Sequence, residues 1–468
     1  MFAGAGSGKT RVITHRVAYL VAERRIQPWR ILAVTFTNKA AGEMRERLNS
    51  LVPGGAARDL WVGTFHATCA RLLRRYGEPI GVRKDFVIYD DADQRAMITR
   101  IMRDLNVDER RYPPRMLASI INRAKNEAIS AEEFAQDQEH EPLIRDVYSA
   151  YEARMSASSA LDFGDLIFRL VHGMRQEPLL LAELQSRFDY LLVDEYQDTN
   201  RVQYLLLRAL ADQHRNLCVV GDDDQSIYRF RGADRRNILD FSQQFPGAHV
   251  VKLEQNYRST QRILRVANSV VRNNVSREPK TLWTDNEEGS KVTLLRCSDE
   301  RDEAALVIKL AQMLLENSYA RRDLALLYRT HAQSRVFEEA LRFANLPYRV
   351  IGGLRFYDRA EVKDLLAYLR VVHNPDDDVS LLRIINTPAR GIGKTTVERL
   401  LEDASRRGGS VWKALHEAER DPVHNAGARK SLERFRGLLV ALRELSAEGA
   451  GPAVLGRSVI EQTGYVQT

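Results

Sequence analysis

The sequence predicts an α/β fold in which parallel strands are covered by helices. Short apolar segments alternate with longer helical patterns, a glycine-rich loop precedes an amphipathic pattern at residues 11–24, and one apolar segment ends in two adjacent carboxylates. Such alternation is typical of parallel sheets with helices on both faces. The strands predicted in the first half are residues 31–36, 59–63, 190–193, 217–221 and 249–253.

The rest of the chain is predicted to be mainly helical, with one further alternating part. Residues 82–175 combine helical patterns with polar loops, and helical patterns return from about residue 358 to the end. Between these parts, the alternation resumes after Glu254. The strands and the extended segment predicted there are residues 292–296, 324–329 and 348–351.

The composition excludes several classes of protein. The 468 residues, 44% of them hydrophobic, are enough for about three domains with buried cores. Lys+Arg 70 against Asp+Glu 63 leaves a net charge of +7, a mild excess that suits a polyanionic partner. The cysteines Cys69, Cys218 and Cys297 show no disulfide or zinc spacing, and no apolar run approaches the ~20 residues of a membrane span. We therefore expect a reducing, cytoplasmic setting without membrane contact.

The first chemical motif is a phosphate-binding loop, AGAGSGKT, at residues 3–10. Its glycines let backbone N–H groups turn towards phosphate oxygens, Lys9 would reach the β- and γ-phosphates, and Thr10 would bind Mg²⁺. The helical pattern at 11–24 directs a helix N-terminus at the phosphates. Because the general pattern has Gly where this chain has Ala3, the alternative is a glycine-rich turn that precedes a lysine by chance.

The second motif is an apolar strand that ends in two carboxylates. Asp194 and Glu195 directly follow the apolar residues 190–193. Alternate side chains of a strand point in opposite directions, so one carboxylate can hold Mg²⁺ while the other polarises the water that attacks the γ-phosphate. The alternative is a solvated pair at the strand end. The presence of Lys9 in the same chain favours the functional interpretation.

A polar run follows the predicted strand 217–221. Gln225 is placed to reach the γ-phosphate or the attacking water. Phe230 stands between two arginines, which suits a nucleobase stacked on its ring, although burial in a core is the alternative. The three aspartates at residues 222–224 suggest a metal site, but we expect most of them to lie in a solvated turn.

The helical part at residues 82–175 contains a basic segment. Residues 100–125 include seven basic residues against three acidic ones, Asp104, Asp108 and Glu109. We therefore expect an inserted helical subdomain with one basic face. The basic residues are Arg100, Arg103, Arg110, Arg111, Arg115, Arg123 and Lys125.

These residues belong to longer motifs that occur in a characteristic order. The motifs are AGAGSGKT at 3–10, AVTFTNKAAGEM at 33–44, VGTFHATCARLLR at 62–74, LDFGDLI at 161–167, LLVDEYQDTN at 191–200, VVGDDDQSIYRFRGA at 219–233 and LEQNYRST at 253–260. Over essentially its whole length the chain thereby resembles the superfamily one DNA helicases of the UvrD/PcrA/Rep group. The run at 348–371 also fits this group.

The resemblance implies two RecA-like P-loop motor domains, each with a mainly helical insertion, that use ATP and Mg²⁺. It makes Asp194 and Thr10 the metal ligands and Glu195 the catalytic base. Gln225 would sense the γ-phosphate, Tyr257 would stack on the adenine, and Arg258 would act as an arginine finger. The implied nucleotide-binding residues are Ala3, Gly4, Ala5, Gly6, Ser7, Gly8, Lys9, Thr10, Arg11, Tyr257 and Arg258.

The resemblance also implies contacts with single-stranded DNA. The family usually has Trp at the position of Phe230, so we expect weaker base stacking here. A single histidine is more often structural than ligand-binding, and only its TFHA context makes His66 a candidate. The implied contacts are Phe36, Thr37, Asn38, Thr64, His66 and Phe230.

A second Gly-Lys-Thr at residues 393–395 is not expected to bind nucleotide, because Pro388 stands where the pattern needs glycine. The Gly-Ile-Gly turn before it resembles the group's hairpin that grips duplex phosphates through backbone N–H groups. An ordinary helix-capping turn is the alternative. The predicted duplex contacts are Gly391, Ile392, Gly393 and Lys394.

The resemblance also divides the chain into domains. Only Met1 and Phe2 precede the loop, and later motifs of the family are missing, so we expect a chain truncated at both ends with an incomplete second motor domain. The expected parts are a first motor domain at 1–81 and 176–253, a DNA-binding helical insertion at 82–175, the first part of a second motor domain at 254–357 and a partial helical accessory domain at 358–468.

The expected activity is ATP-dependent movement in the 3′-to-5′ direction on single-stranded DNA, with unwinding of duplex, during repair or replication in the bacterial cytosol. Expected partners are single-stranded DNA, junctions of single- and double-stranded DNA, and repair or replication proteins. Two alternatives stay open: a truncated, catalytically impaired DNA-binding fragment, and the motor part of a helicase–nuclease.

Overall fold

The computed structural model describes the chain except residues 138, 140, 275–276, 352–358, 408, 419–424 and 466–468. The described residues form two compact units: Met1–Gly289 together with Asp364–Thr468, and Ser290–Lys363. The expected domain boundary at 357/358 and part of the family-like run at 348–371 lie outside the described residues.

The strands of the described chain are short, and those that pair with one another are parallel. They are β1 (Phe2–Ala3), β2 (Ile31–Thr35), β3 (Trp61–Thr64), β4 (Val87–Ile88), β5 (Ala160–Leu161), β6 (Tyr190–Val193), β7 (Leu217–Val219) and β8 (Lys252–Leu253).

Helices make up most of the remaining regular structure. They are α1 (Lys9–Ala22), α2 (Asn38–Leu51), α3 (Phe65–Tyr76), α4 (Asp91–Asp104), α5 (Pro114–Asn126), α6 (Ala131–Gln136), α7 (Pro142–Ala157), α8 (Phe163–Gln176), α9 (Pro178–Arg187), α10 (Arg201–Ala211), α11 (Arg236–Leu239), α12 (Phe241–Gln244), α13 (Gln261–Val271), α14 (Glu300–Glu316), α15 (Ser334–Phe343), α16 (Ala360–His373), α17 (Asp378–Ile384), α18 (Lys394–Arg406), α19 (Val411–Glu417), α20 (Ala426–Ala447) and α21 (Pro452–Thr463).

A parallel sheet with the strand order β3-β2-β6-β7 carries the first unit's largest core. Leu32 and Val34 of β2 pack against residues of α3, α8 and α10 on one face. Ile31 and Ala33 pack against residues of α1 and α2 on the other face. Because both faces are covered, β2 is apolar almost throughout rather than alternating with polar residues. The predicted α/β class is confirmed.

The phosphate-binding loop directly follows the short strand β1. Strand β1 pairs with β8, and Ala3 N–H donates to the Gly221 carbonyl at 2.9 Å. Two residues suffice because β1 has hydrogen-bonding neighbours on both sides. β8 is correspondingly short: only two residues of the predicted strand 249–253 have a partner in β1.

The helical insertion has a core of its own. The short pair β4–β5 closes it, and helices α4, α5 and α7 supply most of its side chains. Helix α8 instead packs into the core of the large sheet. The insertion's fully buried residues include Tyr89, Ile98, Met102, Leu117, Val147, Tyr151 and Met155.

The predicted basic face of this insertion is wrong for two of its residues. Lys125 is fully buried, and its ammonium lies 2.8 Å from Glu152, 2.8 Å from Asp162 and 2.7 Å from Asp165. Arg100 lies 3.5 Å from Asp378, with only 20% of its side chain exposed. Both cations face inward because buried carboxylates from distant parts of the chain offset their desolvation.

In the second unit, α14 and α15 pack through Ala304, Ile308 and Phe337. The strands predicted at 292–296 and 324–329 are wrong, since no described residue there belongs to a strand. The extended segment predicted at 348–351 is neither helix nor strand. An extended segment becomes a strand only through backbone hydrogen bonds to a neighbour. Leu294 and Leu327 are 96% and 87% exposed, so these apolar segments are not covered within the described chain.

The helices after residue 360 form a further core in the first unit, as the helical pattern predicted. Tyr368 and Val371 of α16 pack there with Leu432, Phe435 and Leu439 of α20. No helix in the described part of the chain combines the length and the apolar character needed to cross a membrane.

Candidate active site

The phosphate-binding loop lies between β1 and α1 and has a backbone that favours glycine. Gly6 and Gly8 have φ angles of 68° and 88°, in the left-handed region. Ser7 Oγ closes the turn by donating to the Gly4 carbonyl at 2.8 Å. Helix α1 begins at Lys9, and no side chain caps its N-terminus. The first backbone N–H groups of the helix therefore have no side-chain acceptor and are available to an anion at this loop.

The loop contacts both carboxylates at the end of β6. Lys9 Nζ donates to Glu195 Oε2 at 2.8 Å, and Thr10 Oγ1 donates to Asp194 Oδ2 at 3.1 Å. The two motifs that the sequence singled out therefore lie in direct contact. Burial, and then the negative charge of Glu195, raise the pKa of Asp194 to about 6.

Glu195 is held in a strained conformation. Its φ of 53° and ψ of 42° lie in the left-handed region, which is unusual for a residue with a side chain and recurs at functional sites. Gln197, which we did not single out from the sequence, donates to Glu195 Oε2 at 3.0 Å. The only signal for Gln197 was its position two residues after Glu195 in the DEYQD run.

Gln225 lies after β7, where its amide donates to Asp222 Oδ2 at 2.5 Å. The expectation that most of the three aspartates lie in a solvated turn is wrong. Asp222 and Asp223 are 3% and 4% exposed, and Lys280 lies among the three carboxylates. Their burial is possible because Lys280, together with Arg277 at Asp224, offsets their charge.

The segment after β8 brings Tyr257 and Arg258 to the phosphate-binding loop. Tyr257 N–H donates to the Gly6 carbonyl at 2.9 Å, while the ring is 65% exposed. Asn256, which sequence reasoning missed, joins the two segments: its Nδ2 donates to the Ala5 carbonyl at 2.5 Å. Its Oδ1 accepts from Arg258 N–H at 2.8 Å, so one side chain ties the loop to this segment.

The residues predicted to contact single-stranded DNA divide into exposed and structural ones. Thr37 and Thr64 accept hydrogen bonds as N-caps of α2 and α3, from Ala40 N–H at 3.1 Å and Ala67 N–H at 3.2 Å. Thr64 is also buried. Phe36, which lies two residues before α2, is half-buried, and Asn38, the first residue of α2, is exposed.

Two aromatic residues stand out at this surface. Phe230 is 74% exposed, with the Arg231 guanidinium 5.6 Å from its ring centre. Phe163, which we did not predict, is 50% exposed and lies edge-on to His66 at 5.9 Å. Burial, and then the charge of Arg231, lower the pKa of His66, which keeps its ring neutral at pH 7.

The predicted duplex-binding turn is only partly available. Gly391 has a φ of 79°, and the side chain of Lys394 is 88% exposed at the start of α18. Ile392 is buried, and its N–H donates to Asn386 Oδ1 at 3.2 Å. Ile392 therefore does not offer the phosphate-binding N–H group that we expected, because Asn386 already accepts it.

Two family models match the chain. A model described as the UvrD/REP helicase N-terminal domain matches residues 1–246. A second model, described as the UvrD-like helicase C-terminal domain, matches residues 251–424. Both matches agree with the resemblance inferred from the motifs.

Similar curated proteins carry the name ATP-dependent DNA helicase PcrA. The protein from Bacillus subtilis (strain 168) is 46% identical over 468 residues, which is 99% of this chain and 63% of the relative. The Leuconostoc citreum protein is 46% identical over 470 residues, covering 100% of this chain and 63% of the relative. The Staphylococcus aureus (strain Mu50) protein is 47% identical over 422 residues, 90% of this chain and 58% of the relative. The chain thus spans about three-fifths of the length of the relatives it matches.

Proposed function

The chain belongs to the UvrD/REP helicase family, and from this premise we propose that it is an ATP-dependent DNA helicase. The proposed activity is movement in the 3′-to-5′ direction on single-stranded DNA, with separation of the duplex ahead of it. The observation that carries the proposal is the meeting of Lys9 and Thr10 with Glu195 and Asp194 at one edge of the sheet. A lysine, a hydroxyl and two carboxylates in this arrangement suit hydrolysis of a nucleoside triphosphate.

The residues present suit a bound ATP with Mg²⁺. Thr10 Oγ1 and Asp194 Oδ2 lie 3.1 Å apart, and such hydroxyl and carboxylate oxygens are the ligands that a hard divalent cation prefers. When bound, Mg²⁺ supplies positive charge to the β- and γ-phosphate oxygens. Lys9 would bind the same phosphates, and Glu195 would accept a proton from the attacking water.

Two further groups would reach the nucleotide from other segments. Gln225 lies on the segment after β7, and Arg258 is exposed beside the phosphate-binding loop, to which Asn256 ties it. We propose that Gln225 senses the γ-phosphate and that Arg258 stabilises the charge that develops during transfer. Tyr257, exposed on the same segment, would stack on the adenine.

The exposed aromatic residues support a role in binding single-stranded DNA. Phe230 combines an exposed ring with the neighbouring cation of Arg231, which suits stacking of a base with a phosphate held alongside. Phe36 and Asn38 lie at the carboxyl end of β2, the edge where ligands of parallel sheets bind.

The proposal is tested with two lysines that both stand in a Gly-Lys-Thr sequence. Lys9→Ala should lower DNA-stimulated ATP hydrolysis by about 100-fold or more, because the phosphates lose a preorganised cation. Lys394→Ala should leave hydrolysis stimulated by single-stranded DNA unchanged, since Lys394 is an exposed residue of α18. Phosphate release measured with and without an oligonucleotide checks both. DNA binding without stimulated hydrolysis in the unmodified chain would contradict the proposal and favour a DNA-binding fragment.

The direction of movement needs a separate measurement. Two partial duplexes that differ only in whether the single-stranded tail ends 3′ or 5′ are incubated with ATP. We expect strand separation of the 3′-tailed duplex, and preferential separation of the 5′-tailed one would contradict the proposed direction.

A further inference from the structure

Three consecutive carboxylates after β7 surround a single lysine. Lys280 Nζ lies 2.8 Å from Asp222, 2.5 Å from Asp223 and 2.9 Å from Asp224. The side chain of Lys280 is only 3% exposed. Three carboxylates that approach one another this closely could hold a metal ion, but here an ammonium group lies among them.

A second cation and a backbone N–H group join the same cluster. Arg277 donates to Asp224 through Nη2 at 2.8 Å and through Nε at 3.1 Å. Glu278 N–H donates to Asp223 Oδ2 at 3.0 Å. Burial opposes the charge of Lys280, but hydrogen bonds to the carboxylates, led by Asp222, raise its pKa above the usual value. The lysine therefore stays charged at neutral pH.

Asp222 connects this cluster to the site of the proposed hydrolysis. One of its oxygens accepts from Lys280, and the other accepts from the amide of Gln225 at 2.5 Å. Its backbone N–H donates to Gln197 Oε1 at 2.9 Å, and Gln197 in turn donates to Glu195. Asp222 thus lies between a buried cation and two glutamine side chains, those of Gln225 and of Gln197, which itself contacts Glu195.

We propose that Lys280 is a positioning residue for ATP hydrolysis: by holding one oxygen of Asp222, it directs the other at Gln225 and sets the orientation of that amide. The inference rests on the proposed function. Without the ammonium group, Asp222 would lie beside two buried carboxylates that repel it, so its side chain would turn or take up a proton. Gln225 would then lose its fixed acceptor.

If Lys280 had only a structural role, it would act by neutralising buried negative charge. Two double variants distinguish this role from the positioning of Gln225 through Asp222. The five charged residues of the cluster, Asp222, Asp223, Asp224, Arg277 and Lys280, sum to one negative charge. The variant Asp223→Asn/Lys280→Gln keeps this net charge but removes the contact with Asp222. The matched control, Asp224→Asn/Arg277→Gln, keeps the same net charge and the contacts of Asp222 with Lys280 and Gln225, although it removes the hydrogen bond of 3.1 Å from Arg277 to the Lys280 carbonyl.

The experiment measures kcat and KM for ATP with saturating single-stranded DNA. We expect Asp223→Asn/Lys280→Gln to lower kcat by about tenfold, as outer partners of functional groups do, with KM changed less than about twofold. The matched control should stay within about twofold of the unmodified chain. In a protein that already carries Gln225→Ala, adding Asp223→Asn/Lys280→Gln should lower kcat by less than about a further twofold. The reason is that both changes act through the Gln225 amide. Equal losses in the two double variants, or an undiminished loss in the Gln225→Ala background, would overturn the proposal.

A crystal structure of the Asp223→Asn/Lys280→Gln protein gives a readout that does not depend on turnover. We expect the Gln225 amide to have left Asp222. If the contact persists, the positioning role is wrong even where the protein hydrolyses ATP. If the unmodified chain hydrolyses no ATP, the proposed function fails. The position of the Gln225 amide in the variant structure then still decides whether Lys280 sets the orientation of Gln225.

Discussion

Lys9 Nζ and Glu195 Oε2 lie 2.8 Å apart although 186 residues separate them in the sequence. They meet because β1 is hydrogen-bonded to Gly221, just after β7, and β7 pairs in parallel with β6, so the loop after β1 lies beside the carboxyl end of β6. The left-handed backbone of Glu195 costs about 1–3 kcal/mol, and its hydrogen bonds with Lys9 and Gln197 help to offset this cost. A phosphate that engages Lys9 would compete with this ion pair, so we expect nucleotide binding to free Glu195 for the attacking water.

Binding of Mg²⁺ with nucleotide should weaken in mildly acidic solution. The pKa of Asp194 is raised to about 6, first by burial and then by the charge of Glu195. Mg²⁺ binds the deprotonated carboxylate, so its affinity should fall about fourfold between about pH 7.5 and about pH 5.5. Without metal, the raised pKa also means that protonation of Asp194 stabilises the folded chain relative to the unfolded one. This stabilisation is fully present below the usual pKa of 3.8 and is lost as the pH rises through about 6. Titration of Mg²⁺ with a fluorescent nucleotide at both pH values measures the effect.

Asp198 provides the control, since burial and Glu195 raise its pKa to about 6 as well. Asp198→Asn should leave the pH dependence of Mg²⁺ affinity in place. If that dependence disappears in Asp198→Asn, Asp194 is not the titrating ligand.

Gly6→Ala should impair nucleotide binding far more than a glycine substitution elsewhere. A Cβ at Gly6 would lie 2.6 Å from Asn256 Nδ2 and 2.8 Å from Arg258 Cβ, and the φ of 68° is unfavourable for alanine. The backbone strain alone is about 1–2 kcal/mol, enough for a roughly tenfold loss of affinity. Gly42→Ala in α2, where a Cβ would meet nothing within 4 Å, should stabilise the fold by about 0.5–1 kcal/mol without changing affinity. Nucleotide titration and thermal unfolding test both variants, and equal affinities would contradict this account.

Phe230 should contribute to DNA affinity through base stacking. Its ring is 74% exposed, so Phe230→Ala removes contact area without opening a core. Stacking on an aromatic ring contributes about 1–3 kcal/mol per base, so affinity for an oligonucleotide should fall about 5- to 150-fold. Phe230→Trp should bind more tightly than the unmodified chain, because the indole is larger. Tyr19→Ala, an exposed aromatic residue of α1, is the control and should bind normally. Fluorescence anisotropy at fixed salt measures all three, and normal binding by Phe230→Ala would refute stacking at this position.

Lys125 should be essential for stability in a way that surface lysines are not. Lys125→Met leaves Asp162 buried without its cation and leaves Glu152 and Asp165 with Arg169 alone, which should cost about 3–5 kcal/mol. Lys39→Met removes an 83% exposed lysine that lies 3.9 Å from Glu43, and it should cost less than about 1 kcal/mol. Urea unfolding followed by circular dichroism compares them. Similar midpoints for the two variants would show that the buried cluster does not depend on its ammonium group.

Local patterns predicted much of the proposed active site. The phosphate-binding loop could be found because its glycines are required by backbone angles within a few residues, as at Gly6 and Gly8. Asp194 and Glu195 could be found because an apolar run ends directly before them, and β6 has the predicted bounds. Asn256 was missed because its importance lies in a contact with Ala5, which is 251 residues away.

The sequence by itself determined the α/β class and the family, and it predicted the residues of the proposed nucleotide loop, since each depends on short-range spacing. Only the tertiary structure decided which charged groups are buried. Lys125 and Lys280 look like ordinary surface lysines in sequence, yet their carboxylate partners lie 37 residues away at Asp162 and 57 residues away at Asp223. The desolvation of an ion is offset only by charges brought close in space, and spacing along the chain does not reveal them. The same holds for the segments at 292–296 and 324–329: their apolar pattern suits a strand, but a strand also requires a neighbour.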